Sequence, residues 1–173
     1  WDKYAQIIVR DFVTGAMENT TAVSHSESAY QSEEALNDQN YWEYIIAHEL
    51  AHHWFGDLTT AESWANLTVN ESFANYSEYL WIAHKYGKDA ADYHLRNNTQ
   101  QYHQRPDDFK KDLVRFSYIS TDDMFDMVSY NKGGAILHML RRYLGDEAFF
   151  QGVTDYHKTH AYGNGEAHQL RLS

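Results

Sequence analysis

The apolar positions of this chain change period several times, and each change predicts an element. Tyr4-Ala5-Gln6-Ile7-Ile8-Val9-Arg10 is a short β-branched run that predicts a strand, and Met17 to Val23 predicts another. Ser24 to Gln39 is polar and rich in Ser, Glu, Asn and Asp, as a surface loop would be. Asn40, followed three residues later by Glu43 just ahead of an apolar run, predicts a capped helix N-terminus, and Gly56 stands where the C-terminus of that helix would need a left-handed residue. Leu58 to Asn66 reads as a turn region with Trp64 turned into the core. Val69, Phe73, Tyr76, Leu80 and Ala83 then follow the 4-3-4-3 spacing of a buried helical stripe. Lys88 to Arg105 is a further helix that stops at Pro106, the only proline. Residues 107–126 look irregular, with a short extended piece at Leu113 to Tyr118. Val128 to Leu144 reads as one helix ended by Gly145, and Asp146 is placed to cap the next, in which Phe149, Val153, Tyr156 and His160 keep helical spacing. Gly163-Asn164-Gly165 punctuates, and Glu166 to Ser173 resembles the first turns of a last helix. Two early strands followed by many helices predict an α+β chain, mostly helical, with a small N-terminal sheet.

Composition narrows what such a chain does. At 173 residues it can bury one core of ordinary size, so a single domain is expected. With 43% hydrophobic and 16% aromatic residues it is too apolar for disorder, yet no run approaches the roughly 20 apolar residues of a membrane span. No signal peptide or basic targeting segment is read at its start, and the compartment is left undecided. A formal charge of -11 argues against binding phosphate backbones and suits a cationic partner such as a protonated peptide amine. The absence of cysteine excludes both a disulfide framework and a thiolate metal site.

The chemistry centres on His48-Glu49-Leu50-Ala51-His52. On a helix of about 3.6 residues per turn, His48 and His52 share one face and can reach one metal ion, while Glu49 projects roughly 100° to the side, as a carboxylate beside a nucleophilic water must. A catalytic zinc usually takes three protein ligands and keeps a fourth position open, so a third is needed. Glu71 and Glu78 lie off the buried stripe of the following helix, two turns apart; Glu71 could face the metal, with Glu78 behind it holding a ligand imidazole. Taken alone, Glu71 reads better as a solvated first-turn carboxylate favoured by the helix dipole. The other histidines form no obvious pair. His94 and His103 fall on different faces, His157 and His160 are i, i+3 without a third ligand, and His25 is assigned no role.

These residues carry a resemblance. His48-Glu49-x-x-His52 with eighteen residues before Glu71 is similar to the gluzincin metallopeptidases. Gly15-Ala16-Met17-Glu18-Asn19, Trp54-Phe55-Gly56 after the zinc motif, and Ser129-Tyr130-Asn131-Lys132-Gly133 narrow it to the M1 family of zinc aminopeptidases, with the motifs in family order. The resemblance implies a thermolysin-like zincin domain over residues 1–173, excised from a longer chain that would carry a β-rich domain before it and a helical domain after it. It implies one Zn2+ held by His48, His52 and Glu71, Glu49 as general base and Tyr130 as a donor to the developing oxyanion. It also implies that Gly15, Ala16, Met17, Glu18 and Asn19 bind substrate along an edge strand, Gly15 and Ala16 through backbone groups and Glu18 by gripping the free N-terminal ammonium. A second carboxylate on that amine would come from the preceding domain. Thr20 follows the signature where many members have an aromatic residue, and Thr14 precedes it, so the pocket preference is not read.

The expected function is therefore a zinc aminopeptidase acting on peptides with a free N-terminal amine. Three alternatives remain: a thermolysin-type endopeptidase, which would not need Glu18; an epoxide hydrolase, for which no residue argues; and a non-catalytic zinc-binding or interaction module, which would need neither Glu49 nor Tyr130.

Overall fold

A computed structural model describes residues 1–173. The N-terminal sheet holds three strands, β1 (Ala5–Val9), β2 (Ala16–Met17) and β3 (Ala22–Ser26), in the order β1-β3-β2. β1 runs parallel to β3, with Ala5 opposite Ala22, and β2 pairs antiparallel at the other edge, with Ala16 opposite His25. The expected strand over 17–23 is thus two, divided by a turn at Thr20 and Thr21, whose φ of 62° is left-handed. The polar segment expected to be a loop begins inside β3, where His25 is fully buried, and carries a short helix α1 (Glu33–Asp38) capped by the Ser32 hydroxyl. Polar composition misled there because a central strand can bury a histidine with one ring nitrogen paired: His25 Nδ1 accepts from the Trp42 indole at 3.1 Å.

The remainder is helical. α2 (Glu43–Ala51) and α3 (Thr68–Tyr86) pack side by side, followed by α4 (Lys88–His103), α5 (Gly133–Leu144), α6 (Asp146–His160) and α7 (Ala167–Leu170). α3 is the axis of the helical packing: every residue from Thr68 to Tyr76 is buried, and Phe73, Tyr76 and Tyr79 meet Ala91 of α4, Leu137 of α5 and Phe149 of α6 in one core. Phe55 closes it, stacked on Phe73 with ring centroids 4.2 Å apart. A two-stranded parallel sheet, β4 (Thr59–Ala61) with β5 (Gly163–Gly165), ties the middle of the chain to its end. No helix is long and apolar enough to cross a membrane.

Several local expectations change. Asn40 does not form a capping box with Glu43; its Oδ1 accepts from Trp42 N–H at 3.1 Å, while the Glu43 carboxylate takes bonds from Trp81 Nε1, Lys85 and Tyr86 on α3. Three tertiary donors outcompete one local one. α2 ends at Ala51, well before Gly56, so His52 is its C-cap and not mid-helix; its φ and ψ of -58° and -21° remain helical and keep both imidazoles on one face. Residues 113–118 form no strand; they are irregular, between 3₁₀ turns at Pro106–Lys110 and Thr121–Met124. Trp64 is 45% exposed against Phe125 and stands outside the core. Asp146 begins α6 without capping it, its carboxylate being held by Arg141 at 2.8 Å.

The helix expected from Val128 opens as a π-helical turn, Val128–Lys132, before α5. Lys132 N–H reaches back five residues to Met127 C=O at 2.9 Å. Asp126 receives Val128 and Ser129 N–H, and Ser72 Oγ of α3 donates to Ser129 C=O at 2.6 Å. Such π turns concentrate at functional sites, and this one carries Tyr130. Immediately after it, α5 presses on α3 through Gly133, where an added Cβ would lie 1.8 Å from Ser72 Oγ and 2.6 Å from Ser72 Cβ. Overpacking outweighs the roughly 1 kcal/mol that alanine gains over glycine in a helix, so Gly133→Ala is expected to lower stability by about 2 kcal/mol, read as a lower denaturant midpoint at unchanged slope.

Candidate metal centre and active site

Two helices build the centre. His48 and His52 come from α2 and Glu71 from the first turn of α3, all three buried. Glu71 Oε2 lies 3.3 Å from His48 Nε2 and 3.4 Å from His52 Nε2. The far side of each imidazole is already engaged: His48 Nδ1 sits 2.9 Å from Glu78 Oε1, and His52 Nδ1 sits 2.9 Å from Phe55 C=O. A carbonyl only accepts, as does an ionised carboxylate, so both Nδ1 atoms carry hydrogen and a neutral ring turns its Nε2 lone pair towards Glu71. Three lone-pair atoms then face one point, and Glu71 Oε2 is buried without a hydrogen-bond partner. A buried carboxylate oxygen in that position needs a cation.

The electrostatics agree. Burial alone would lower the His48 pKa, yet Glu71 and Glu78 outweigh it and raise it to about 10. Burial would raise Glu71, but His52 and His48 bring it down to about 2. The pocket is therefore negative enough to draw protons onto imidazoles, and a divalent metal would displace them. The donor set fits zinc: nitrogen and oxygen ligands at about 2.0–2.1 Å on tetrahedral corners lie about 3.3 Å apart, which matches both observed separations.

Three further groups ring this point. Glu49 is buried, and one of its oxygens has no hydrogen-bond partner. Burial raises its pKa to about 7, against the lowering influence of His48 and His52. Tyr130 lies flat against His48, ring centroids 5.8 Å apart and planes 8° from parallel. Burial, followed by the charge of Glu71, pushes its phenol far up, so it holds its proton and donates. Glu18 approaches from the sheet, 3.9 Å from His52 Nδ1, and can share a cation with Glu49 and His52.

The Gly15–Asn19 segment divides its tasks by strand alternation. Gly15 C=O is taken by Ser26 N–H at 2.8 Å, so it serves the sheet, while Ala16, one residue on, turns its backbone groups to the open edge, where the Thr14 hydroxyl contacts its carbonyl at 3.1 Å. Met17, in β2, and Asn19 are exposed, and Asn19 Nδ2 bonds Ser24 Oγ across the β2–β3 turn. His157 and His160 do not converge: His157 Nδ1 meets the Thr59 hydroxyl and His160 Nδ1 meets Asn164 C=O. The orientation of His52 by the Phe55 carbonyl was not anticipated from sequence. Its signal was the Trp54-Phe55-Gly56 run, which folds back because Gly56 adopts a φ of 150°.

Comparison with known proteins agrees with this geometry. The model of the Peptidase family M1 domain matches residues 1–173. Aminopeptidase N of Streptomyces lividans is 39% identical over 94% of this chain, which covers 20% of that protein, and aminopeptidase M1-B of Oryza sativa is 33% identical over 97%, again covering 20%. The chain thus spans about a fifth of the length of these curated relatives. Among solved structures, native yeast LTA4 hydrolase superposes with a TM-score of 0.85 at 26% identity, covering 99% of this chain and 28% of that one. An M1 zinc metallopeptidase of Deinococcus radiodurans bound to a Tyr-Ser-Ala substrate superposes at 0.74 and 26% identity, covering 98% and 35%. With its whole length matched by the family's domain model and its His and Glu side chains gathered as described, this chain belongs to peptidase family M1.

Proposed function

We propose that residues 1–173 form one thermolysin-like catalytic domain, a zinc aminopeptidase that removes the first residue of peptides bearing a free amine. The observation that carries the reading is the meeting of His48, His52 and Glu71 at one buried point, with Glu49, Tyr130 and Glu18 around it. His48, His52 and Glu71 would hold one zinc ion. When bound, zinc supplies Lewis-acid polarisation of the scissile carbonyl and makes water acidic enough to yield hydroxide near pH 7. Glu49 takes the proton of the attacking water and returns it to the leaving amine; a carboxylate raised to about 7 both accepts and releases a proton at neutral pH. Tyr130 donates a hydrogen bond to the carbonyl oxygen as it gains charge. Ala16 offers its edge-strand backbone to the extended peptide, and Glu18 holds the ammonium that limits cleavage to one residue at a time.

The direct test is release of a chromophore from a panel of aminoacyl p-nitroanilides by the full-length gene product. Chelator treatment should abolish turnover and lower the melting temperature, and one equivalent of zinc should restore both. A chain that binds no zinc, or that hydrolyses fully without it, overturns the proposal. Glu18 separates this reading from an endopeptidase. Glu18→Ala is expected to reduce kcat/KM on free-amine peptides by about 10²-fold, the scale for removing one partner of a desolvated charge pair, and to leave N-acetylated peptides unaffected. Equal rates on both substrates in the wild type would favour the endopeptidase.

A further inference from the structure

Glu78 is buried, and both of its oxygens are engaged. Oε1 takes the metal-facing His48 through Nδ1 at 2.9 Å and the Asn75 amide at 3.2 Å. Oε2 takes His94 Nε2, from α4, at 2.8 Å. One turn further along α4, the main-chain carbonyl of Asn98 accepts from Asn131 Nδ2 at 3.0 Å. Asn131 is buried and follows Tyr130 directly in the π turn. α4 therefore reaches the centre by two contacts, the His94 side chain on Glu78, which holds His48, and the Asn98 main-chain carbonyl on Asn131, in the turn that carries the phenol. The two rings these contacts serve, His48 and Tyr130, are stacked with centroids 5.8 Å apart.

We propose that His94 and Asn131 are positioning residues: His94 holds Glu78, and through it the His48 imidazole, while Asn131 fixes the Tyr130 turn to the same helix. The inference rests on the metal-centre reading above. If Glu78 needed only to be satisfied in a buried place, Asn75 and His48 would serve Oε1 and a water could serve Oε2. His94 adds direction. It pins the carboxylate in the plane that meets His48 Nδ1, and a carboxylate held behind a ligand imidazole fixes its tautomer and raises its basicity toward a metal. Both α4 tethers leave one five-residue stretch, His94 to Asn98, so ligand and phenol are referred to a single rigid segment.

The test uses the full-length gene product, with zinc affinity read by chelator competition and kcat and KM read on an aminoacyl p-nitroanilide. His94→Met keeps much of the volume and removes the donor; it should weaken zinc binding about 10- to 100-fold and lower kcat with KM within about twofold. His94→Gln restores a donor and should recover most of both losses. Asn131→Leu should lower kcat about tenfold at unchanged zinc affinity, because it acts at the phenol end. Met and Gln variants that behave alike, or a His94→Met protein with wild-type zinc affinity, would overturn the His94 assignment. Should His94→Met fail to fold, His94→Gln with much weakened zinc binding would overturn it equally, and Asn131→Leu with wild-type kcat overturns the second tether. A wild-type protein that takes up no zinc removes the metal-centre reading and this one together, whereas zinc-replete, active wild type with indifferent variants removes only this one.

Discussion

Glu49→Gln is expected to retain one zinc per chain and to lose hydrolysis, with kcat reduced by about 10²–10⁴-fold, the range for a positioned general base. Glutamine matches the shape of the carboxylate but accepts no proton at neutral pH. Glu49 lies outside the three-atom cluster formed by His48, His52 and Glu71, so metal content should not follow activity. The substitution also removes a buried charge, whose desolvation disfavours the folded state, so thermal stability should hold or rise. Metal analysis beside steady-state kinetics decides the matter. A mutant that is inactive because it is zinc-free would move Glu49 from proton transfer to metal retention, and one with wild-type kcat would remove it from the mechanism.

Tyr130→Phe should cost about 10²–10³-fold in kcat with KM and zinc affinity near wild type, as expected when a donor acts chiefly on charge that develops in the transition state. Phenylalanine preserves the flat contact with His48 and deletes only the hydroxyl. Because burial and Glu71 hold the phenol protonated throughout the working range, Tyr130 should impose no alkaline limb on the pH profile of kcat below pH 10. A mutant that raises KM tenfold at constant kcat would recast the hydroxyl as a ground-state contact.

How far the sequence could be read depended on the range of the forces involved. The His48 and His52 pair was legible because i, i+4 geometry is set within one helical turn, and it survived the helix ending earlier than expected. Glu71 was not legible from periodicity: it lies off the apolar stripe, yet it is buried with all of the first nine residues of its helix, and only the resemblance in spacing pointed to it. The Asn40 and Glu43 signature failed because Glu43 found three donors on α3. Trp64 was assigned to the core on its chemistry, yet its neighbour Phe125 leaves it half exposed at the surface. β5 was hidden in Gly163-Asn164-Gly165, which has punctuation residues and no side-chain pattern; its partner Thr59 is far away in sequence. His94 was dismissed for want of a second metal ligand, when its actual partner was a carboxylate on another helix.

The π turn at Val128–Lys132 makes the aim of the Tyr130 phenol a matter of chain length as well as residue identity. Each residue advances a helix by about 100°, so shortening this turn by one would swing the ring a quarter-turn or more away from His48 while Ser, Tyr, Asn, Lys and Gly all stayed in order. Insertions and deletions here should therefore be far less tolerated than substitutions, and a family member with the motif letters intact but one position missing would be a candidate pseudoenzyme.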